Sequence, residues 1–148
     1  MSKFIIKAEH IPSLEEFEIS SGDLNTYLKN PYINPYAGSC KIYLWDNKYF
    51  YISHEDWGKV FKDVLFGMPK YLTDKLDCEN FSILVSARVS ERYKLNTCGI
   101  AIGDGPTGRH GFNIFLSDVG LFYMEPQSGE VYSVDENSGY RADLVIFA

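Results

Sequence analysis

The chain has 148 residues, of which 45% are apolar and 16% aromatic, and a formal net charge of −6. This length suits one domain with a full core, and the composition excludes a disordered chain. No block of Lys or Arg stands out, which excludes a nucleic-acid backbone as partner because phosphate binding needs clustered cations.

Three cysteines, Cys40, Cys78 and Cys98, are an odd number and argue against a disulfide framework. Met1 to Lys7 is interrupted by charge too soon for a secretory signal. No apolar stretch approaches the roughly 18 residues of a membrane helix, so no membrane partner is expected. The expected setting is cytoplasmic and reducing, where a thiol stays usable.

In chain order, Phe4 to Ala8 reads as a short strand and Ser13 to Ile19 as a short amphipathic piece. Ser21-Gly22-Asp23 caps a helical turn through Leu24, Tyr27 and Leu28. Residues 30–39, with Pro31, Pro35 and Gly38, read as a loop. Lys41 to Trp45 and Lys48 to Ile52 alternate around Asp46-Asn47, a hairpin signal. Ser53 is the N-cap of a helix carrying Trp57, Val60, Phe61, Val64 and Leu65, which Gly67-Met68-Pro69 ends.

Tyr71 to Leu76 is a short second piece, and Asp77 precedes the longest apolar helix. Its residues Phe81, Ile83, Leu84, Val85, Ala87 and Val89 cover more than one face, which predicts a buried central helix. Cys98 to Ile102 is a strand, Gly103 to Gly108 a glycine-rich loop, and His110 to Leu116 with Leu121 to Glu125 a second hairpin. Val131 to Val134 and Leu144 to Phe147 are further strands. Helices followed by a mostly antiparallel sheet make an α+β order. The domain organisation is one unit, 1–148, with 1–55 as an N-terminal strand and hairpin extension of a 56–148 core.

Cys78 stands where a polar turn becomes the apolar helix. A helix N-terminus lowers a thiol pKa, a nearby His lowers it further, and a third polar group orients the imidazole. His110 opens one strand and Glu125 closes the next. If the hairpin loop is Asp118-Val119, Ser117 faces Gly120 and Phe112 faces Glu125. His110 and Glu125 then become diagonal neighbours on one sheet face. Cys98 and Cys40 are expected to be structural, and His10 and His54 to be surface residues.

Asp77-Cys78-Glu79-Asn80-Phe81, His110-Gly111-Phe112-Asn113-Ile114 and Glu125-Pro126-Gln127 together resemble the papain-like cysteine-hydrolase domain at the C-terminus of fungal chimeric agglutinins, and related phage and bacterial proteins. The resemblance covers roughly Trp57 to Val134. It implies a papain-like or transglutaminase-like core and a hydrolase of the peptidase or amidase type acting on a peptide or other amide. Cys78 would be its nucleophile, His110 its base and Glu125 the orienting residue. It also implies calcium or manganese held by Glu79, Glu125 and Gln127, and hard oxygen ligands suit calcium.

The chain departs from that pattern in three ways. Glu79 replaces a shorter aspartate. The neighbourhood Lys70-Tyr71-Leu72 lacks the Gln that often helps hold the oxyanion, leaving the Cys78 N–H and a group such as Tyr71 for that role. No carbohydrate-binding repeat precedes the domain, so the resemblance does not imply lectin activity. The alternative function is a non-catalytic binding or interaction module of the same fold, with the aromatic stretch Tyr32 to Tyr51 as a surface. The Gly103–Gly108 run lacks the Lys and following helix of a phosphate-binding loop.

Overall fold

Ser53 Oγ accepts a hydrogen bond from the Asp56 N–H at 3.1 Å and starts the helix that the sequence places there. The computed structural model describes residues 14–30, 33, 40–135 and 137–148. The expected strand at Phe4–Ala8, His10, and Tyr32 and Tyr36 of the aromatic stretch lie outside these residues. The elements are β1 (Phe17–Ser20), α1 (Ser21–Tyr27), β2 (Lys41–Leu44), β3 (Lys48–Tyr51), α2 (His54–Val64) and α3 (Cys78–Tyr93). Then come β4 (Cys98–Gly105), β5 (Gly108–Ser117), β6 (Gly120–Met124), β7 (Val131–Ser133) and β8 (Arg141–Phe147). Among the described residues no helix is long and apolar enough to cross a membrane.

The expected class, α+β with a papain-like or transglutaminase-like core and a buried helix on a mostly antiparallel sheet, is corrected. The architecture is mostly β: a six-stranded mixed sheet in the order β2-β8-β4-β5-β6-β7 and a two-stranded sheet β1-β3. The sheet is mixed because β2 runs parallel to β8, with Ile42 opposite Val145 and Leu44 opposite Phe147. The helix that begins at Cys78 is not buried all round. It buries Phe81, Ser82, Val85 and Val89, while Ile83 is 49% exposed, so its extra apolar positions reach solvent.

Residues 41–52 do not fold into a hairpin. β2 pairs with β8, and β3 pairs with β1, Phe17 opposite Tyr51. The turn between them is held from outside: the Trp45 N–H bonds to Phe147 O at 3.1 Å and the Ser21 N–H to Asn47 O at 3.0 Å. Alternation marks both strands but says nothing of their partners. The Gly103–Gly108 segment is not a loop either. β4 runs to Gly105 and turns at Pro106-Thr107 into β5. Gly103 is required by close approach, since a Cβ there would lie 1.8 Å from Arg141 O on β8. Tyr71 to Leu76 is a turn closed by the Leu72 N–H to Leu76 O bond at 2.9 Å.

The β5–β6 hairpin has the register counted from its two-residue loop, with Ser117 opposite Gly120 and Asn113 opposite Met124. Alternation along β5 separates two cores. Phe112, Ile114 and Leu116 join Tyr49, Tyr123, Tyr140 and Phe147 on one side. Phe115 joins Trp57, Phe61, Val85 and Met124 under α2 and α3 on the other. His54 belongs to this packing rather than to the open surface, its ring 4.4 Å from that of Phe122. Cys98 is buried, as expected of a core residue. Cys40 is partly buried, and burial first, then Asp143, lifts its thiol to about 11.

Candidate binding site

Two reciprocal bonds seat the first turns of α3 on β5. Ser82 Oγ donates to Phe112 O at 2.7 Å, and Asn113 Nδ2 donates back to Ser82 O at 3.0 Å. Just before them the strand carries Gly111, where a Cβ would sit 2.8 Å from Glu79 Cα and 2.9 Å from Glu79 N. Glycine therefore lets the helix start touch the strand. This contact brings Cys78 and Glu79 to the corner where His110 begins its run.

Cys78 is the first residue of α3, after the N-cap Asp77, whose N–H bonds to Asn80 Oδ1 at 3.1 Å. Its thiol donates to Glu79 Oε2 at 3.2 Å and accepts from the Gly111 backbone N–H. The environment lifts the thiol above its ordinary pKa. Burial is the largest cause, and the Glu79 and Asp77 carboxylates add to it against the Gly111 hydrogen bond. At this helix terminus the causes that raise the thiol outweigh those that lower it.

His110 and Glu125 do meet, through Nε2 and Oε2. They are largely sequestered, with side chains 21% and 12% exposed. Tyr140 adds a second donor to Glu125 Oε2 at 3.2 Å, and Glu125 Oε1 accepts the Gln127 N–H at 3.1 Å. The His110 ring lies on the Phe112 side of β5, 6.2 Å from both the Phe112 and the Tyr140 rings. Gly111, one residue on, faces the helix start. The predicted trio therefore gathers at one corner of the sheet. Within it the imidazole's hydrogen-bond partner is Glu125, and the thiol's partners are Glu79 and Gly111.

The candidate metal ligands are divided in the same way. Asp77, Cys78 and Glu79 bring their donor atoms within 4.8 Å of one another. Glu79 is held below its ordinary carboxylate value by its own backbone N–H, then by Asp77 and Cys78, and also by His110. Asp77, bonded to Glu79, is pushed up. Glu125 reaches this corner with both oxygens engaged. A hard cation takes oxygen ligands, and Asp77 and Glu79 bring carboxylate oxygens within reach of one another.

A groove of about 410 Å³ opens beside this corner, lined by Leu65, Met68, Pro69, Tyr71, Phe81 and residues 126–128. Its size falls within the range of about 300–1,000 Å³ for ligand sites. Tyr71 and Phe81 stand 6.2 Å apart by ring centroid, and Tyr71 is 43% exposed. The sequence reading missed Phe81, Asp77 and Tyr140 as site residues. The first two lie in the Cys motif itself, where an aromatic one turn after an acid was a usable signal. Tyr140 carried none.

No protein-family model matches the chain, and no curated protein does. Solved structures share its fold. One is PSL1a in complex with E64, with a TM-score of 0.72, 20% identity, and coverage of 88% of this chain and 51% of that one. Another is a Polyporus squamosus lectin bound to the human-type influenza-binding epitope Neu5Aca2-6Galb1-4GlcNAc, with a TM-score of 0.70, 19% identity, and coverage of 88% and 49%. The chain spans about half the length of each.

These neighbours correct the functional expectation. The expected papain-like cysteine hydrolase with a Cys-His-Glu triad is corrected by a fold shared with a lectin bound to a saccharide. The raised thiol of Cys78, bonded to a carboxylate, agrees with that correction. The lectin neighbour holds a saccharide, not the peptide or amide expected as a partner from the sequence.

Proposed function

We propose that this chain is a single-domain, non-catalytic module that binds a saccharide in the groove between residues 65–71 and 126–128. The groove is the observation that carries the proposal. It offers the exposed ring of Tyr71, with the buried Phe81 behind it, beside the polar groups of Gln127 and Ser128. A pyranose has one C–H-lined face and a rim of hydroxyls, and this pairing of ring faces with hydrogen-bonding groups suits both. The saccharide bound by the Polyporus squamosus lectin, a fold neighbour, supports the ligand class.

His110, Glu125 and Cys78 serve in this reading as structural residues outside the groove lining. The carboxylate holds the imidazole, and the thiol ties the start of α3 to Gly111. The test is retention of the labelled protein on immobilised neutral and charged saccharides, with Tyr71→Ala beside the wild type. Retention that falls about tenfold or more in Tyr71→Ala is expected, the loss of one stacking face. A wild type that no saccharide retains refutes the proposal.

A calcium or manganese ion at Asp77 and Glu79 is a second reading, favoured by the close approach of their donor atoms. The ion would neutralise two adjacent carboxylates and stiffen the start of α3. Calcium should then raise the melting temperature, and should not do so in Glu79→Gln.

A further inference from the structure

We propose that the saccharide taken by this groove is an uncharged N-acetylated amino sugar, its acetyl methyl on the wall of Leu65 and Met68 and its amide at the Gln127 side chain. The inference rests on the saccharide-binding proposal and adds the substituent that the groove selects.

Among the described residues no charged side chain lines the groove. Leu65, Met68, Pro69, Phe81 and Pro126, most of its lining, carry no hydrogen-bond donor in their side chains. Backbone donors are equally scarce. The Gln127 N–H bonds to Glu125 Oε1 at 3.1 Å, and the Ser128 and Gly129 N–H groups bond to Glu125 O at 3.3 and 2.7 Å. The Leu65 N–H is held by Phe61 O at 3.0 Å, and Pro69 and Pro126 have no N–H. The polar side-chain groups that the lining presents are thus the Gln127 amide and the Tyr71 and Ser128 hydroxyls.

A sugar bearing hydroxyls alone is a poor match for this lining, because a hydroxyl pressed on apolar side chains loses water and gains no partner. An acetamide on one ring carbon changes both terms. Its methyl buries apolar area against Leu65 and Met68. Its N–H and C=O complement the Gln127 amide, which offers an acceptor and two donors. An ammonium or a carboxylate would give up its hydration to a lining with no countercharge.

The two walls are fixed against each other. Arg88 bonds to Val64 O at 2.8 Å and Phe66 O at 3.3 Å, which holds the end of α2. Across the groove Gly129 approaches so closely that a Cβ there would lie 3.0 Å from Leu65 Cδ1. The place for the acetyl group is therefore formed before the ligand arrives, and little ordering cost is left to binding.

NMR titration of protein with isotope-labelled methionine methyls tests this. The probes are the methyl glycosides of N-acetylglucosamine and N-acetylgalactosamine, each beside its hydroxyl parent and its free amine. One acetylated sugar should bind about tenfold or more tighter than its parent and its amine, the joint worth of a buried methyl and a hydrogen bond. It should also move the Met68 methyl resonance. Gln127→Ala, at an exposed position, should cut the preference about fivefold. Equal affinities within each set, tighter binding of a parent or an amine, a Met68 methyl unmoved by bound sugar, or a preference unmoved by Gln127→Ala each overturn the acetamide assignment and leave saccharide binding standing. If no probe binds, the acetamide assignment falls, and retention on the wider set of immobilised saccharides decides the saccharide proposal by itself.

Discussion

The two faces of the main sheet are packed with different chemistry. Under α2 and α3 the core is Trp57, Phe61, Val85, Val89, Phe115 and Met124, with rings packed closely, Phe61 edge-to-face on Phe115 at 4.9 Å and Trp57 stacked on Phe61 at 5.1 Å. The opposite face is rich in tyrosine, Tyr49, Tyr123 and Tyr140, packed on Phe112 and Phe147. An apolar face gains its stability from burial alone. A tyrosine face buries nearly as much but must satisfy each hydroxyl. Tyr49 donates to Phe147 O at 3.2 Å, and Tyr140 donates to Glu125 Oε2. The polar tip of this second core is therefore also the support of the His110–Glu125 pair.

Truncation should separate the faces by magnitude. Trp57→Ala on the helix face removes a wholly buried ring and its 2.7 Å bond to Leu116 O. A loss of about 3–5 kcal/mol in urea unfolding is expected. On the tyrosine face Tyr140→Phe keeps the ring and removes only the hydroxyl. It should cost about 1 kcal/mol while visibly moving the His110 imidazole resonances. Equal losses in the two variants would erase the contrast between the faces.

Gly111→Ala probes the seam between them. Its Cβ would press on the backbone of Glu79 and Cys78, which cannot rotate away. Overpacking of this kind costs about 1–3 kcal/mol, and amide exchange should quicken through the first turn of α3. Unchanged exchange there would show that the contact is loose.

The smallest effect expected is on titration. Cys78 is raised by burial and then by Glu79 against the Gly111 bond. A raised value keeps the thiol protonated, so iodoacetamide should label Cys78 more slowly than free cysteine near neutral pH. Glu79→Gln removes a raising cause, so the midpoint of the rate-against-pH curve should move to lower pH. A wild-type thiol that outpaces free cysteine would return Cys78 to the list of activated nucleophiles.

The parts legible in the sequence were those decided by neighbours along the chain. Ser53 caps α2 through the Asp56 N–H three residues on, and a two-residue loop sets the β5–β6 register that brings His110 to Glu125. The parts that stayed hidden depend on distant backbone. Residues 41–52 alternate like a hairpin, yet β2 is claimed by β8, about a hundred residues later. Gly103 reads as loop punctuation, while its real constraint is the Arg141 carbonyl of that same strand. Cys78 reads as an activated thiol because a helix start is visible in sequence and desolvation is not. Tyr140 has no motif at all, although it shares Glu125 with the imidazole.

β8 occupies the second place in the six-stranded sheet, between β2 and β4. During synthesis β2 leaves the ribosome early and waits, its hydrogen-bonding edges unmatched, until Arg141–Phe147 emerges. Parallel pairing across so long a loop is slow to close. Docking of β2 is thus gated by β8, whereas β3 is tied through Phe50 to Asn96 and Thr97 and does not wait for residue 141.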